Sequence, residues 1–189
     1  MKRQSNRAIP ACLGAMALML TGCDSGGVPS PADRLAGETS QSADAVNLDL
    51  VTLRTDGVTA GSESFYFAAG RAEIVAALTR ILGEPVESAE MRECGAGPID
   101  MDRFAGGLIV NFQNGYLAGW NLDEASEKIV IIGDVAIGTE RAVVTAAPGF
   151  SAIEASTLGE EFVLGNLLGG FLAQDKVSML YAGTQCFFR

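Results

Sequence analysis

Few side chains in this chain could carry chemistry: there are four cysteines, a handful of closely spaced carboxylates and a glycine-rich stretch, with no histidine among 189 residues. Without histidine, Ser-His and Cys-His nucleophile pairs and most zinc sites are excluded. No Gly-x-Ser-x-Gly elbow, phosphate-binding loop or Ser-x-x-Lys motif occurs. Asp100 and Asp102 form an Asp-x-Asp pair of the kind that holds a divalent cation in some transferases, with Glu93 a third carboxylate nearby. Their place after Pro98 predicts a solvated turn instead. Glu160 and Glu161, with Glu154 nearby, are the other acidic group; acid-base chemistry of the glycosidase kind needs two carboxylates about 5 to 9 Å apart across a substrate. Neighbours on a strand point to opposite faces, so these two read as a polar strand edge. Gly165 to Gly170 has no adjacent Lys and reads as a bulge or tight hairpin. No cofactor and no metal is expected from these patterns.

The chemistry that the N-terminal region does encode is a modification. Lys2, Arg3 and Arg7 form a basic head, and the mostly apolar run Ile9 to Leu20 follows, too short for a membrane span of about 20 residues. The end of that run, Leu20-Thr21-Gly22-Cys23, resembles the lipobox of bacterial lipoproteins: an apolar residue, two small ones and a cysteine. The resemblance implies a signal peptide over 1–22, cleavage before Cys23 and diacylglyceryl transfer to the Cys23 thiol. It also implies a membrane-attached protein facing the periplasm, and Asp24 resembles the inner-membrane retention signal of enteric bacteria. Residues 23–47, rich in Ser, Gly, Pro, Ala and Asp, hold too little apolar surface to fold and read as a tether.

Charge limits the partners. The chain carries −10, and without residues 1–22, which hold three of its basic residues and no acidic one, it would carry −13. Nucleic acid and anionic headgroups would repel it. Beyond Cys12 in the leader and Cys23, only Cys94 and Cys186 remain. In an oxidising compartment they predict one disulfide, worth about 4 to 5 kcal/mol in the chain-entropy model.

Residues 48–189 are long enough for one α+β domain. Leu48 to Thr52 and Ser64 to Phe67 suggest strands. Ile74, Leu78, Ile81 and Leu82 recur at helical spacing after Gly70, and Gly83 and Pro85 end that helix. Leu108 to Leu122 predicts a hairpin about the type I′ turn Asn114-Gly115. Strict alternation puts Leu108, Val110, Phe112, Leu117 and Gly119 on its core face. Asn111, Gln113, Tyr116 and Trp120 would then stand together on the opposite face, as a candidate protein-binding patch. A covering helix or tether would instead make Trp120 core. Further on, the pattern predicts a strand at Ile129 to Ile132, a helix from Thr139 to about Ala146, and strands near 150 to 156, 161 to 172 and 177 to 187. Glycine, helix and strands thus occur twice, which predicts an antiparallel sheet with helices on one face, built as two tandem helix-plus-hairpin repeats.

Gly70-Arg71-Ala72-Glu73-Ile74-Val75 with Leu82-Gly83-Glu84-Pro85 is similar to the helix motif of the beta-lactamase inhibitor protein and of small outer-membrane lipoproteins of the SmpA type, which assist barrel assembly. The resemblance implies tandem helix-plus-sheet repeats, and together with the anchor and the missing catalytic motifs it points to binding. The expected function is a non-enzymatic, lipid-anchored binding or scaffold lipoprotein. A small envelope enzyme with a cation held by Asp100, Asp102 and Glu93 is the alternative, and an enzyme inhibitor a third reading.

Overall fold

The periodic segment after Gly70 forms helix α1, Arg71–Leu82, and buries Ile74, Ala77 and Leu78 along one stripe. It belongs to a computed structural model that describes residues 47–165 and 167–187. The expected leader, Cys23 and the tether up to residue 46 lie outside the described residues. Gly83, at φ 87°, ends α1 and donates its N–H to the Thr79 carbonyl. At the other end no side chain caps the helix. The Arg71 N–H instead donates to the carbonyl of Gly115, 2.9 Å away, so a hairpin turn closes the helix start.

That hairpin joins β6 (Leu108–Gln113) to β7 (Tyr116–Leu122). Asn114 and Gly115 take φ values of 53° and 80°, as a type I′ turn requires. Two pairs from the turn the pairing slips: Phe112 faces Leu117, yet Asn111 faces Gly119, leaving Ala118 as an extra residue in β7. A bulge of this kind inverts the alternation beyond it. Trp120 therefore sits opposite Val110 on the core face, and Gly119 and Asn121 take the second face. The expected placing of Trp120 beside Asn111 is thereby corrected: Trp120 is 0 % exposed, and its Nε1–H donates to the Arg54 carbonyl at 2.7 Å.

The bulge also divides the outer edge of β7 between two neighbours. Leu117 exchanges backbone bonds with Ala68 and Ala69. Gly119 to Leu122 pair with the last strand, β12 (Lys176–Gly183). An eight-stranded antiparallel sheet results, in which β4 (Glu87–Met91), β5 (Ile99–Arg103), β6 and β7 meet β12, β11 (Leu168–Ala173), β10 (Glu160–Leu164) and β9 (Phe150–Ala152) in that order. A smaller sheet places β3 (Glu63–Tyr66), β2 (Gly57–Ala60), β1 (Val51–Arg54) and β8 (Ile129–Ile131) side by side, with β1 and β8 parallel. The second helix, α2 (Arg141–Ala146), precedes β9. The molecule is thus α+β and mostly antiparallel, and each helix leads into four consecutive large-sheet strands rather than one hairpin.

Several local expectations shift. Residues 161 to 172, expected as one strand, break at Gly165 (φ 58°) into β10 and β11. Asp100 and Asp102 lie on β5, because Ile99 and Met101 alternate with them as strand residues. Leu48 precedes β1 in a turn and is exposed. No helix among the described residues is long and apolar enough to cross a membrane.

One core unites these layers: Leu53 and Val58 from the small sheet, Ile74 and Leu78 from α1, Val144 from α2, and Phe112, Trp120, Phe162 and Leu180 from the large sheet. The indole bond to Arg54 ties the two sheets directly. Tryptophan fluorescence should accordingly be blue-shifted and protected from acrylamide. Trp120→Phe, which leaves the Arg54 carbonyl without its donor, should cost about 1 to 3 kcal/mol in urea unfolding. An emission spectrum resembling free tryptophan would refute this placement.

Candidate functional site

On the second face of the large sheet the expected patch does not assemble. Asn111 is buried, Gln113 donates from Nε2 to the Ala96 carbonyl at 2.6 Å, and Tyr116 stands 56 % exposed at the hairpin turn. Trp120 is on the other side. What covers Asn111 is the end of the chain itself, a strap of residues Thr184 to Phe187. Its Thr184 N–H donates to the Ala118 carbonyl at 2.8 Å, so the bulged residue anchors the strap. Gln185 then acts as a hub: Oε1 accepts from Asn111 and Asn121 Nδ2 at 3.0 and 3.2 Å, and Nε2 donates to the carbonyls of Trp120 and Ala182. Gly119 beneath it must be glycine, since a Cβ there would lie 2.4 Å from the Thr184 oxygen. At the far end Phe187 packs edge-on against Phe171 and Tyr181, with centroids 5.5 and 5.1 Å away.

The strap also brings the two expected disulfide partners together. Cys94 lies buried in the β4–β5 connection, with Sγ 3.9 Å from the Gln185 carbonyl, and the Cys186 thiol hydrogen-bonds to Cys94. Both are thiols here. Burial, and then that hydrogen bond, push Cys186 from its ordinary 9.0 up to about 11.

The carboxylates are committed to arginines and hydroxyls. Asp102, 2 % exposed, accepts from Arg71 Nε at 3.0 Å and Nη2 at 2.8 Å, and from Ser88 Oγ at 2.5 Å. Asp100 lies 3.4 Å from Nη1 of the same guanidinium, which sits 5.2 Å from the Phe112 ring centroid. The Asp102 hydrogen bonds raise the Arg71 pKa. The position a bound cation would need is thus filled by Arg71, which corrects the reading of this pair as a solvated turn. Among the described residues no three His, Cys, Asp or Glu side chains converge as metal ligands would. Glu160 and Glu161 do point apart. Glu160 meets Arg141 at the surface, whereas Glu161 is buried and accepts from the Tyr181 hydroxyl at 2.6 Å. The reading of both as a strand edge is corrected, because β10 is paired on both sides, with β9 and β11.

Sequence reasoning missed Arg71 as more than the polar side of a helix. The signal was its position, because a cation in the first turn of a helix opposes the macrodipole and needs a specific anion to hold it. Gln185 carried no such signal.

Next to the Arg71–Asp102 pair an open groove of about 870 Å3 runs between α1 and the edge of the sheet. Ala72, Val75, Ala76 and Thr79 line its helical wall, and Ser88 and Asp102 its floor. Glu84 and Pro85, where α1 turns into β4, close one end.

No protein-family model matches the chain, and no curated protein does. Among solved structures it is similar to a cysteine-rich secretory protein from Staphylococcus aureus, at 11 % identity and a TM-score of 0.37, over 74 % of this chain. It spans about half of that structure, 52 % of its length.

Since Asp102 is buried against an arginine, Asp102→Ala should destabilise the protein by about 3 kcal/mol in denaturant unfolding, by stranding Arg71 and Ser88. Millimolar calcium or magnesium should leave the wild-type melting temperature unchanged. A cation-dependent rise would show that Arg71 can be displaced.

Proposed function

We propose that the protein is a lipid-anchored, periplasm-facing binding or scaffold lipoprotein, held at the membrane through Cys23 and acting without catalysis. The observation that carries the reading is the order basic head, apolar run and Leu20-Thr21-Gly22-Cys23. Two or three acyl chains at one cysteine give lasting attachment where one chain gives only marginal residence. Commitment of Asp100 and Asp102 to Arg71 and of Glu161 to Tyr181 supports binding over acid-base chemistry. The binding face is not the Asn111 patch, which the strap occupies. Palmitate labelling of cells making the full chain tests the anchor. Label should enter the wild type and be absent from Cys23→Ala, and label in that variant would sink the lipid assignment.

An oxidising compartment also makes the Cys94–Cys186 pair a disulfide. Both S–H bonds break, one S–S bond forms, and two protons and two electrons pass to a disulfide-type oxidant such as oxidised glutathione. The product pins the strap across the sheet. Protein purified from the envelope should be lighter by two hydrogens than the reduced form, and should yield one Cys94–Cys186 cross-linked peptide on digestion. The reduced form should behave differently with pH. Its fold favours the neutral Cys186 thiol, so that contribution is intact below about 9 and is lost as pH rises through about 11. Melting temperature should fall over that window for the reduced protein alone, and identical profiles for the two forms would contradict the assignment.

A further inference from the structure

We propose that the groove between α1 and β4 takes an extended segment of a protein partner, which adds to β4 as a ninth strand and carries basic residues alternating with small or medium apolar ones. The inference deepens the binding reading above and rests on it.

β4 is the end strand of the large sheet, and among the described residues it pairs only with β5. An open edge of five residues offers main-chain groups to an extended chain, and a groove beside it decides which chain fits. Here the groove lies on the core side of the sheet. Ala72 and Ala76 are exposed and project little beyond the α1 backbone, with Val75 between them. From Ala72 to Thr79 the wall is about 10 Å long at 1.5 Å per residue. Side chains two apart on a strand are about 6.6 Å apart, so the wall holds two of them. Those two are apolar, matching Val75 and the alanine methyls.

Charge selects the remaining positions. Glu87 is exposed on β4 and Glu84 stands at the groove end, while Glu90 on the other face of β4 is paired with Arg92 at 2.8 Å. Opposite charges directly across strands attract and like charges repel. An acidic edge therefore rejects another copy of its own β4 and accepts Lys or Arg beside the apolar pair. Arg71 is held by Asp102 and does not cancel these carboxylates.

The test uses the full-length lipidated protein in detergent and a fluorescein-labelled peptide of alternating Lys and Val, with a block peptide of the same composition as control. Anisotropy should show binding of the alternating peptide, and weaker binding of the block peptide. Ala76→Trp fills the groove from an exposed helix position that tolerates substitution, and should weaken binding at least about tenfold, as loss of a central contact does, with circular dichroism unchanged. Glu84→Lys with Glu87→Lys should weaken it too. Hydrogen exchange should slow in β4 on peptide binding. Equal affinity for both peptides, no binding, or full affinity in Ala76→Trp would overturn the groove assignment. A partner cross-linked in cells equally by wild type and Ala76→Trp would overturn the groove while leaving the binding module standing. Loss of the anchor would affect only the lipid assignment.

Discussion

One extra residue organises this molecule. Ala118 interrupts the β6–β7 pairing, and by inverting the alternation it sends Trp120 into the core. The indole then fills the space between the two sheets and bonds the Arg54 backbone. The same interruption frees the Ala118 carbonyl to receive Thr184, and it places Gly119, with no side chain, where the C-terminal strap passes. Inter-sheet packing, strand partnership and strap seating are thus consequences of a single slip in register. Bulges are used elsewhere to redirect a side chain or end a pairing, and here one does both.

The two faces of the large sheet are closed by different physics. On the core face, burial of apolar groups from both helices and the small sheet dominates, at about 25 cal/mol per Å2. The second face around β6, β7 and β12 is closed by polar matching, with Gln185 accepting from the Nδ2 groups of Asn111 and Asn121 and donating to two backbone carbonyls. Such a network is specific because each buried polar group left without its partner costs about 1 to 3 kcal/mol. A fixed covalent bridge beside it would hold the geometry that these short bonds require.

Helix α1 and the β6–β7 turn were legible because each rests on local rules: a 3.6-residue stripe ended by Gly83 and Pro85, and the positive-φ pair Asn114-Gly115. The α+β class followed from their combination. The bulge was not legible, since Ala118 has no distinguishing chemistry and the slip arises from contacts with Ala68, Ala69 and Thr184, far away in sequence. The misplacing of Trp120 and Gly119 follows from that one residue. Asp102 was misread for a related reason. An acidic residue after a proline looks like a turn until Arg71, 31 positions earlier, is known to lie over it. Cys94 and Cys186 were paired by elimination, and their meeting depends on the strap, which no local pattern announces.

The seam between β7 and β12 has a consequence for how the chain is made. Strand β12 occupies the middle of the sheet, not an edge, so the four strands β4 to β7 and the strands β9 to β11 cannot join until β12 is available. Pairing of such high contact order is slow, because a long loop must close before any contact rewards it. A chain emerging N-terminus first therefore carries two unpaired strand edges, on β7 and on β11, until β12 has emerged. Those edges are ready templates for aggregation during that interval. Loss of β12 alone would leave two half-sheets, a far larger defect than its eight residues suggest.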